Sequence, residues 1–319
     1  MTSHYAVDLT TEIGRLRLRT PIMPASGTFA DGLAKAVDFD RLGALVTKTI
    51  TRELRAGNPL PRVVERQSAM LNAIGIPSMG VEHFLNDVIP LYRCYEPPLV
   101  VSISAPTAEG FASLAAELTV PGVAAIEANI SCPNIEEDGK AFAMEPTSTW
   151  KVTDALRQAT TLPLWVKLTP NTGDIPSVAQ AAEEAGADAV VVANTILSMA
   201  IDVKSFKPSL GNILGGLSGP AVKPIILRQV YQCAKKVRIP VIGCGGVTSA
   251  EDAIEYILAG AAAVQVGTAT FLRPDAMTQI LDDMQAFCTR RGIDRVASLI
   301  GGLVLDDSQT SQTRRMDPL

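Results

Sequence analysis

Eight short and mainly apolar runs recur along the chain, and many of them are bounded by glycine or proline. They span residues 21–27, 44–50, 98–104, 125–131, 163–169, 189–195, 240–246 and 263–269. Continuous apolar runs of this length are typical of parallel strands whose two faces are both buried. The pattern therefore predicts eight parallel strands.

Stretches with helical signals separate several of these runs. Segments 177–186 and 249–260 each open with a serine suited to cap a helix and stop at a glycine. Residues 80–85, around His83, are typical of a helix start. Strands alternating with helices, without a low-complexity linker, predict an α/β fold, a single (β/α)8 TIM barrel domain over residues 1–319. An open doubly wound sheet is the alternative.

Three of the connections, those after strands 2, 4 and 6, are too long for a single helix. TIM barrels carry their chemistry at the C-terminal ends of their strands, and long loops in compact domains are usually functional. We therefore expect the active site to lie among these three loops.

Composition and charge narrow the class of protein. With 319 residues, 47% of them hydrophobic and 19% charged, the chain can bury a sizeable core. Its formal net charge is −5 and it has no lysine- and arginine-rich run, which argues against a nucleic-acid or anionic-membrane partner. Its start lacks a signal-peptide pattern, and no apolar run reaches about 18 residues. We expect a cytoplasmic protein with a small-molecule partner.

Cysteine and histidine usage limits the possible chemistry. The five cysteines are far apart and form no C-x-x-C pair, so neither a disulfide framework nor a zinc or iron–sulfur site is expected. With only His4 and His83, a histidine-based triad or metal centre is equally unexpected. Four of the cysteines are interpreted as small buried side chains: Cys94, Cys233, Cys244 and Cys288.

Polar side chains at strand ends are the first candidate site residues. Lys48 and Lys167 each interrupt an apolar run, where a lysine is costly unless an anion compensates it. Either lysine alone could extend from a strand end into solvent, but two of them favour a shared anionic ligand. Asn129 and Asn194 can donate to and accept from a planar heterocycle, although each could also be a satisfied core amide.

Glycines after strands 7 and 8 are the second candidate feature. Residues 243–248 and Gly267-Thr268 leave backbone N–H groups able to approach a phosphate, the usual anion site of such barrels. Neither a G-x-G-x-x-G fingerprint nor a P-loop is present, so the pattern favours a phosphate-bearing cofactor other than a nicotinamide. Turn glycines without a ligand are the alternative.

Cys132 differs from the other cysteines by its position after strand 4, between two amides and beside a proline. It is the best candidate for a proton-transferring group. A thiol with a reference pKa of about 8.5 is a workable base only near or above neutral pH unless its site lowers that value.

Taken together, these motifs resemble the class 1 dihydroorotate dehydrogenases, most nearly the catalytic subunit of the NAD-linked class 1B type. The resemblance runs from about residue 20 to 305. The motifs that carry it are ASGTF at 25–29, VTKT at 46–49, GNP at 57–59, NAIG at 72–75, NISCPN at 129–134, VKLTPN at 166–171, GGLSGPA at 215–221 and VQVGTA at 264–269.

The resemblance implies an FMN barrel that oxidises (S)-dihydroorotate to orotate in pyrimidine (UMP) biosynthesis. It implies that Cys132 removes the C5 proton while a hydride passes from C6 to flavin N5. It implies that Lys167 stabilises reduced flavin and that Lys48 pairs with the substrate carboxylate and approaches the flavin. The other implied substrate contacts are Asn72, Ala73, Ile74, Gly75, Ile76, Asn129, Asn134, Asn194 and Thr195. The implied FMN contacts are Ala25, Ser26, Lys48, Thr49, Ser102, Asn129, Lys167, Ala193, Gly219, Gly245, Gly246, Gly267 and Thr268.

The resemblance also implies partners: a homodimer, and a heterotetramer with an electron-transfer subunit that carries FAD and a [2Fe–2S] cluster. Ser102 departs from the family, which usually has asparagine there, and residues 196–198 also depart. Two other functions stay open. One is a flavin barrel like that of dihydropyrimidine dehydrogenase, and the other is a non-catalytic flavin-binding barrel.

Overall fold

The computed structural model describes residues 7–131, 141–306 and 309. Within these residues, one eight-stranded parallel sheet closes into a barrel, in the order β1-β8-β7-β6-β5-β4-β3-β2. The strands are β1 (Ile22–Pro24), β2 (Leu45–Val46), β3 (Leu99–Ile103), β4 (Ala125–Asn129), β5 (Leu164–Lys167), β6 (Ala189–Val192), β7 (Val241–Cys244) and β8 (Ala261–Val266).

The barrel closes where β1 meets β2, the strands at the two ends of that order. The backbone N–H of Gly43, just before β2, donates to the carbonyl of Ile22 in β1 at 2.8 Å. Seven of the predicted apolar runs contain one strand each and the eighth, 263–269, overlaps β8, so the predicted (β/α)8 TIM barrel is confirmed. The alternative of an open doubly wound sheet is wrong.

Helices follow the strands and cover the outside of the barrel. They are α1 (Val81–His83), α2 (Ile89–Tyr92), α3 (Ala108–Glu117), α4 (Pro146–Ala159), α5 (Ile175–Glu184), α6 (Lys223–Lys236), α7 (Ala250–Leu258), α8 (Ala269–Leu272) and α9 (Ala276–Arg291). A π-helical turn, Phe84–Val88, joins α1 to α2, and 3-10 turns lie at Asp31–Lys35, Phe39–Arg41, Phe142–Met144, Pro220–Val222 and Val296–Leu299.

The two helix starts predicted at serines have different outcomes. Ser249 caps α7 as expected, and Asp252 completes a capping box with it. The prediction that Ser177 starts a helix is wrong, because α5 begins two residues earlier, at Ile175. The cap is Asp174, whose carboxylate accepts from the backbone N–H of Ser177. Asp174 stands one turn before Ser177, and its carboxylate is also a strong cap.

The barrel interior is apolar at one end and polar at the other. A hairpin of strands Thr11–Ile13 and Leu16–Leu18 closes the N-terminal end and buries Ile13 and Leu18. Above it, Trp165, Val191 and Ile242 point inwards and pack together. The polar interior side chains therefore gather towards the C-terminal ends of the strands.

Two long connections meet above that polar end. Strands Val63–Arg66 and Ala69–Asn72 come from the connection after β2, and strands Ile196–Ser198 and Gly215–Ser218 come from the connection after β6. They form one antiparallel sheet, which we call the rim sheet. A hairpin of Ile201–Asp202 and Lys207–Pro208 extends the second connection. The predicted long connection after β4 lies partly in residues 132–140, outside the described residues.

The cysteines of the described chain are mostly placed as expected. Cys233, Cys244 and Cys288 are buried, whereas the expectation for Cys94 is wrong. Cys94 is exposed just after α2, where its thiol donates to the carbonyl of Leu91 at 3.3 Å. Across the described ranges, no helix is long and apolar enough to cross a membrane.

Candidate active site

A chain of three hydroxyl groups lies at the C-terminal ends of neighbouring strands. The Ser26 hydroxyl is 2.8 Å from that of Thr49, which is 3.0 Å from that of Ser102. The residues follow β1, follow β2 and lie in β3, and Thr49 and Ser102 are buried. Three of the predicted cofactor contacts are therefore joined in one network.

Lys48 lies beside this network. Its side chain passes over Gly27, so that a Cβ atom added there would lie 3.7 Å from Nζ of Lys48. Gly27 has a φ of +85°, a conformation that favours glycine. The loop after β1 thus makes room for the lysine at the barrel mouth.

Lys167 is buried in the barrel interior at the end of β5. Its Nζ donates to Oε1 of Gln265 at 2.9 Å and lies 3.8 Å from Oε1 of Glu127. Burial acts to lower the pKa of Lys167, but the Cys244 sulfur, as a hydrogen-bond acceptor, and the Glu127 carboxylate outweigh it, and the pKa is raised. Burial also raises the pKa of Cys244, which keeps it a neutral thiol at neutral pH. Glu127 therefore supplies the negative charge that compensates the Lys167 ammonium.

The two predicted strand-end asparagines meet. Nδ2 of Asn194 donates to Oδ1 of Asn129 at 3.2 Å, and it also donates to the Ser131 hydroxyl. That hydroxyl donates in turn to Oδ1 of Asn129. Asn194 lies two residues beyond β6, and its backbone N–H donates to the carbonyl of Leu168. β4 and β6 are thereby joined by a polar cluster across the barrel mouth.

The rim sheet brings two more predicted substrate residues together. Nδ2 of Asn72 donates to the carbonyl of Gly216 at 3.4 Å, and Thr195 packs against the same glycine. A Cβ atom on Gly216 would lie 2.0 Å from Oγ1 of Thr195, so only glycine fits. The loop that follows Asn72 contains Ala73, Ile74, Gly75 and Ile76, the last two with positive φ angles.

The predicted phosphate glycines also converge. Gly246 has a φ of +70°, and a Cβ atom on it would lie 2.8 Å from the carbonyl oxygen of Gly219. The Thr268 hydroxyl donates to the Ser218 hydroxyl at 2.8 Å. Loops after β7 and β8 therefore lie beside the end of the rim sheet. The residues in this group are Ser218, Gly219, Gly245, Gly246, Gly267 and Thr268.

Two side chains of α7 support the glycine loop from behind. The Tyr256 hydroxyl donates to the carbonyl of Gly245 at 2.7 Å. The Asp252 carboxylate accepts from the backbone N–H and hydroxyl of Thr248 and from Nζ of Lys223. Burial acts to raise the pKa of Asp252, but the Lys223 and Thr248 hydrogen bonds outweigh it, and the pKa is lowered. The loop is thus held in place by side chains of α6 and α7.

The remaining predicted residues have different outcomes. Ala25 and Ala193 are buried at the C-terminal ends of β1 and β6, and Gly267 packs against Ala25. Cys132 and Asn134 lie outside the described residues. Among the residues that are described, no cluster of His, Cys, Asp or Glu side chains could hold a metal ion.

The sequence interpretation missed several polar residues of this region: Glu127, Ser131, Ser218, Gln265 and Tyr256. Glu127 and Gln265 each interrupt an apolar run, which is the same signal that identified Lys167. Ser218 and Tyr256 do not interrupt an apolar run, and their partners, Thr268 and Gly245, lie in other elements. The completed arrangement combines a buried ammonium, paired amides and a glycine-lined loop cluster at one barrel end.

The chain is similar to known proteins over most of its length. A family described as dihydroorotate dehydrogenase matches residues 8–288. A protein of Pelobacter propionicus named dihydroorotate dehydrogenase B (NAD(+)), catalytic subunit, is 48% identical over 93% of this chain and 98% of its own. Proteins of the same name from Trichlorobacter lovleyi and Geobacter sulfurreducens are 48% and 46% identical. The matches cover 92% and 93% of this chain, and 98% of each relative.

Proposed function

Since the chain belongs to the dihydroorotate dehydrogenase family of oxidoreductases, we propose that it oxidises (S)-dihydroorotate to orotate in pyrimidine biosynthesis, with FMN as its cofactor. The candidate residues lie at the barrel end where such enzymes carry their chemistry. The observation that carries the cofactor proposal is the buried ammonium of Lys167, held charged inside the barrel.

The glycine-lined loops fit the phosphate of FMN. Gly246 has the conformation and the close approach to Gly219 that exclude a side chain, so backbone groups can reach an anion there. The Thr268 and Ser218 hydroxyls stand beside this position. We assign the phosphate to this group, together with Gly245 and Gly267.

The interior residues fit the ring system of FMN. A flavin that gains electrons becomes anionic at its pyrimidine edge, and a desolvated ammonium such as that of Lys167 stabilises such charge strongly. Ala25 and Ala193 offer small apolar surfaces, and the hydroxyl network of Ser26, Thr49 and Ser102 offers polar edges. We assign the ring to the space bounded by these residues, with Lys48 and Asn129 also in contact.

Bound FMN supplies the acceptor for the two electrons released when the C5–C6 bond of the substrate becomes a double bond. We assign the removal of the C5 proton to Cys132. Support for this assignment is its place directly after Ser131, whose hydroxyl belongs to the cluster of Asn129 and Asn194. With a reference pKa of about 8.5, the thiol becomes a better base as the pH rises.

Substrate positioning falls to the amides and to Lys48. Dihydroorotate has an imide-containing ring and a carboxylate, which need planar donors and acceptors and one cation. Asn129 and Asn194 supply the amides, and Lys48 supplies the charge for the carboxylate. We assign further contacts to Asn72, to the backbone of residues 73–76, to Asn134 and to Thr195.

A partner protein completes the proposal. The relatives are named as catalytic subunits of an NAD(+)-linked enzyme, which supports a second, electron-transferring subunit for this chain as well. We propose that this partner carries FAD and a [2Fe–2S] cluster, and that the catalytic chain forms a homodimer within a heterotetramer. The cytoplasm is the proposed compartment.

Cofactor analysis and a dye-linked assay test this function together. The purified protein should hold one FMN per chain and should reduce an artificial dye with dihydroorotate as the electron donor. Dihydrouracil as an efficient electron donor would instead support the dihydropyrimidine dehydrogenase-like alternative. FMN binding without turnover of either substrate would support the non-catalytic alternative.

A further inference from the structure

A buried polar pair lies beside Lys167, and the proposed function does not use it. Glu127 of β4 and Gln265 of β8 are 0% and 1% exposed and lie inside the barrel. Nζ of Lys167 donates to Oε1 of Gln265, and Nε2 of Gln265 donates to Oε2 of Glu127. Three strands thus contribute one lysine–amide–carboxylate chain.

The orientation of the Gln265 amide is fixed by its two neighbours. Its oxygen faces an ammonium, which can only donate, and its nitrogen faces a carboxylate, which can only accept. Rotating the amide by half a turn would place donor against donor and acceptor against acceptor. The direction of both hydrogen bonds, from Lys167 to Gln265 and from Gln265 to Glu127, is therefore fixed.

Stability does not explain why a carboxylate lies here. Burying an ion pair costs several kcal/mol per ion, and hydrophobic residues of similar volume are often at least as stable. Oε1 of Glu127 is buried, and no hydrogen-bond partner for it exists among the described residues. It lies 3.8 Å from Nζ of Lys167, so it contributes charge rather than a hydrogen bond.

The charge of the Glu127 carboxylate acts on Lys167. The groups that face Lys167 from the neighbouring strands are Glu127, Gln265 and the Cys244 thiol, and only Glu127 among them contributes a carboxylate. Without that anion, burial would favour the neutral amine of Lys167. A neutral amine would lose most of its ability to stabilise a reduced flavin.

We propose that Glu127, acting through Gln265, is a positioning residue that holds the amino group of Lys167 in place as a cation. Its negative charge also partly offsets the positive charge of Lys167 that a bound flavin experiences. This inference rests on the proposed FMN site, since only a flavin gives the moderated charge its role. Glu127 lies two residues before the end of β4, deeper in the barrel than Asn129, so we do not place it among the substrate contacts.

The flavin arm of the test is a double-mutant cycle of Glu127→Gln, Lys167→Met and the double variant. The reduction potential of bound FMN is measured from about pH 6 to pH 10. At the acidic end of this pH range, Glu127→Gln should raise the reduction potential. Its plot of potential against pH should also show a break at the pH where Lys167 loses its proton and the potential falls. Wild type, Lys167→Met and the double variant should show no such break. A cycle without the break in Glu127→Gln, or with the same break in the double variant, would overturn the inference.

The second arm uses the FMN-free protein, which separates this inference from the proposed function. In Glu127→Gln, the pKa of Lys167 should be lower in the folded protein than in the unfolded chain. Between these two pKa values, the unfolded chain binds a proton that the folded protein lacks. The free energy of unfolding should therefore rise with pH up to about 10.5. Wild type and the double variant should lack this rise. Failure of the wild type to bind FMN would refute the proposed function, while this arm would still decide the state of Lys167.

The same variants and one control keep the test decisive if Glu127→Gln fails to fold. If Glu127→Gln does not fold, the double variant should fold, because it no longer buries an unpaired ammonium; failure of both would count against the inference. Gln229→Met is the matched control, since Gln229 is equally buried but lies on α6, where its Nε2 donates to the Pro170 carbonyl. It should lower stability without a break in the potential, and a break there would overturn the inference.

Discussion

Nδ2 of Asn194 lies 3.2 Å from Oδ1 of Asn129, so that an amide after β6 is joined to an amide at the end of β4 across the barrel mouth. The two residues are 65 positions apart in the chain. Their contact places a donor–acceptor pair where a planar ring with amide edges can bind.

Asn194→Asp should weaken orotate binding at least about ten-fold, equivalent to ~1.4 kcal/mol. The change keeps the shape of the side chain but places a carboxylate against Oδ1 of Asn129 and near the anionic ligand. A titration of the bound flavin's absorbance with orotate measures the dissociation constant. Asn86→Asp, on the exposed turn after α1, is the control for one added negative charge. Unchanged orotate affinity in Asn194→Asp would remove this residue from the substrate site.

Tyr256→Phe should weaken FMN binding about five-fold. The variant loses one hydrogen bond to the Gly245 carbonyl, which is worth about 1 kcal/mol, and it loosens the loop assigned to the phosphate. Fluorescence quenching on adding FMN to the FMN-free protein gives the dissociation constant. Tyr231→Phe, on α6, is the matched control and should bind FMN like the wild type. Equal affinity in both variants would show that the loop does not depend on Tyr256.

Asp252→Asn should lower the free energy of unfolding at neutral pH by about 1–2 kcal/mol. Hydrogen bonds from Lys223 and Thr248 keep the pKa of Asp252 below its ordinary value of 3.8, despite burial. Its contribution to stability is therefore complete above about pH 4 and is lost as the pH falls through the lowered pKa. The difference between wild type and Asp252→Asn should shrink below that pH in chemical denaturation. Asp283→Asn, exposed on α9, is the control, and an equal loss of stability there would contradict the assigned role.

The lone chain should pass electrons from dihydroorotate to an artificial dye but should barely reduce NAD. The one glycine-lined phosphate group of the described residues is assigned to FMN, and the sequence has no C-x-x-C ligands for an iron–sulfur relay. Efficient NAD reduction should appear only when the electron-transfer subunit is added. Steady-state assays with NAD, fumarate and dye distinguish the outcomes. Rapid NADH formation by the lone chain would refute the partner proposal, and rapid fumarate reduction would indicate a class 1A enzyme.

The barrel was predictable because each of its strands is buried on both faces and so leaves a continuous apolar run in the sequence. The start of α5 was not predictable, because Asp174 and Ser177 are both good helix caps and the local sequence does not rank one above the other. The rim sheet was not predicted either. Its strands pair residues such as Asn72 and Gly216, and such distant pairing leaves no local signal.

The candidate site was predictable where a polar residue interrupts an apolar run at a strand end, as at Lys167. Glu127 shows the same signal, but its meaning depends on a neighbour from another strand. Only the closed barrel shows that Lys167, Gln265 and Glu127 meet. Cys132 remains a prediction, because it lies outside the described residues.

Anaerobic addition of dihydroorotate to the FMN-loaded protein tests the central claim most directly. In a stopped-flow instrument, the oxidised-flavin absorbance should bleach rapidly, and more rapidly as the pH rises towards the pKa of a thiol, about 8.5. Cys132→Ala should bind FMN normally but bleach at least about a hundred-fold more slowly, because the base is lost. A wild-type flavin that keeps its absorbance with excess dihydroorotate, although dithionite reduces it, would contradict the account.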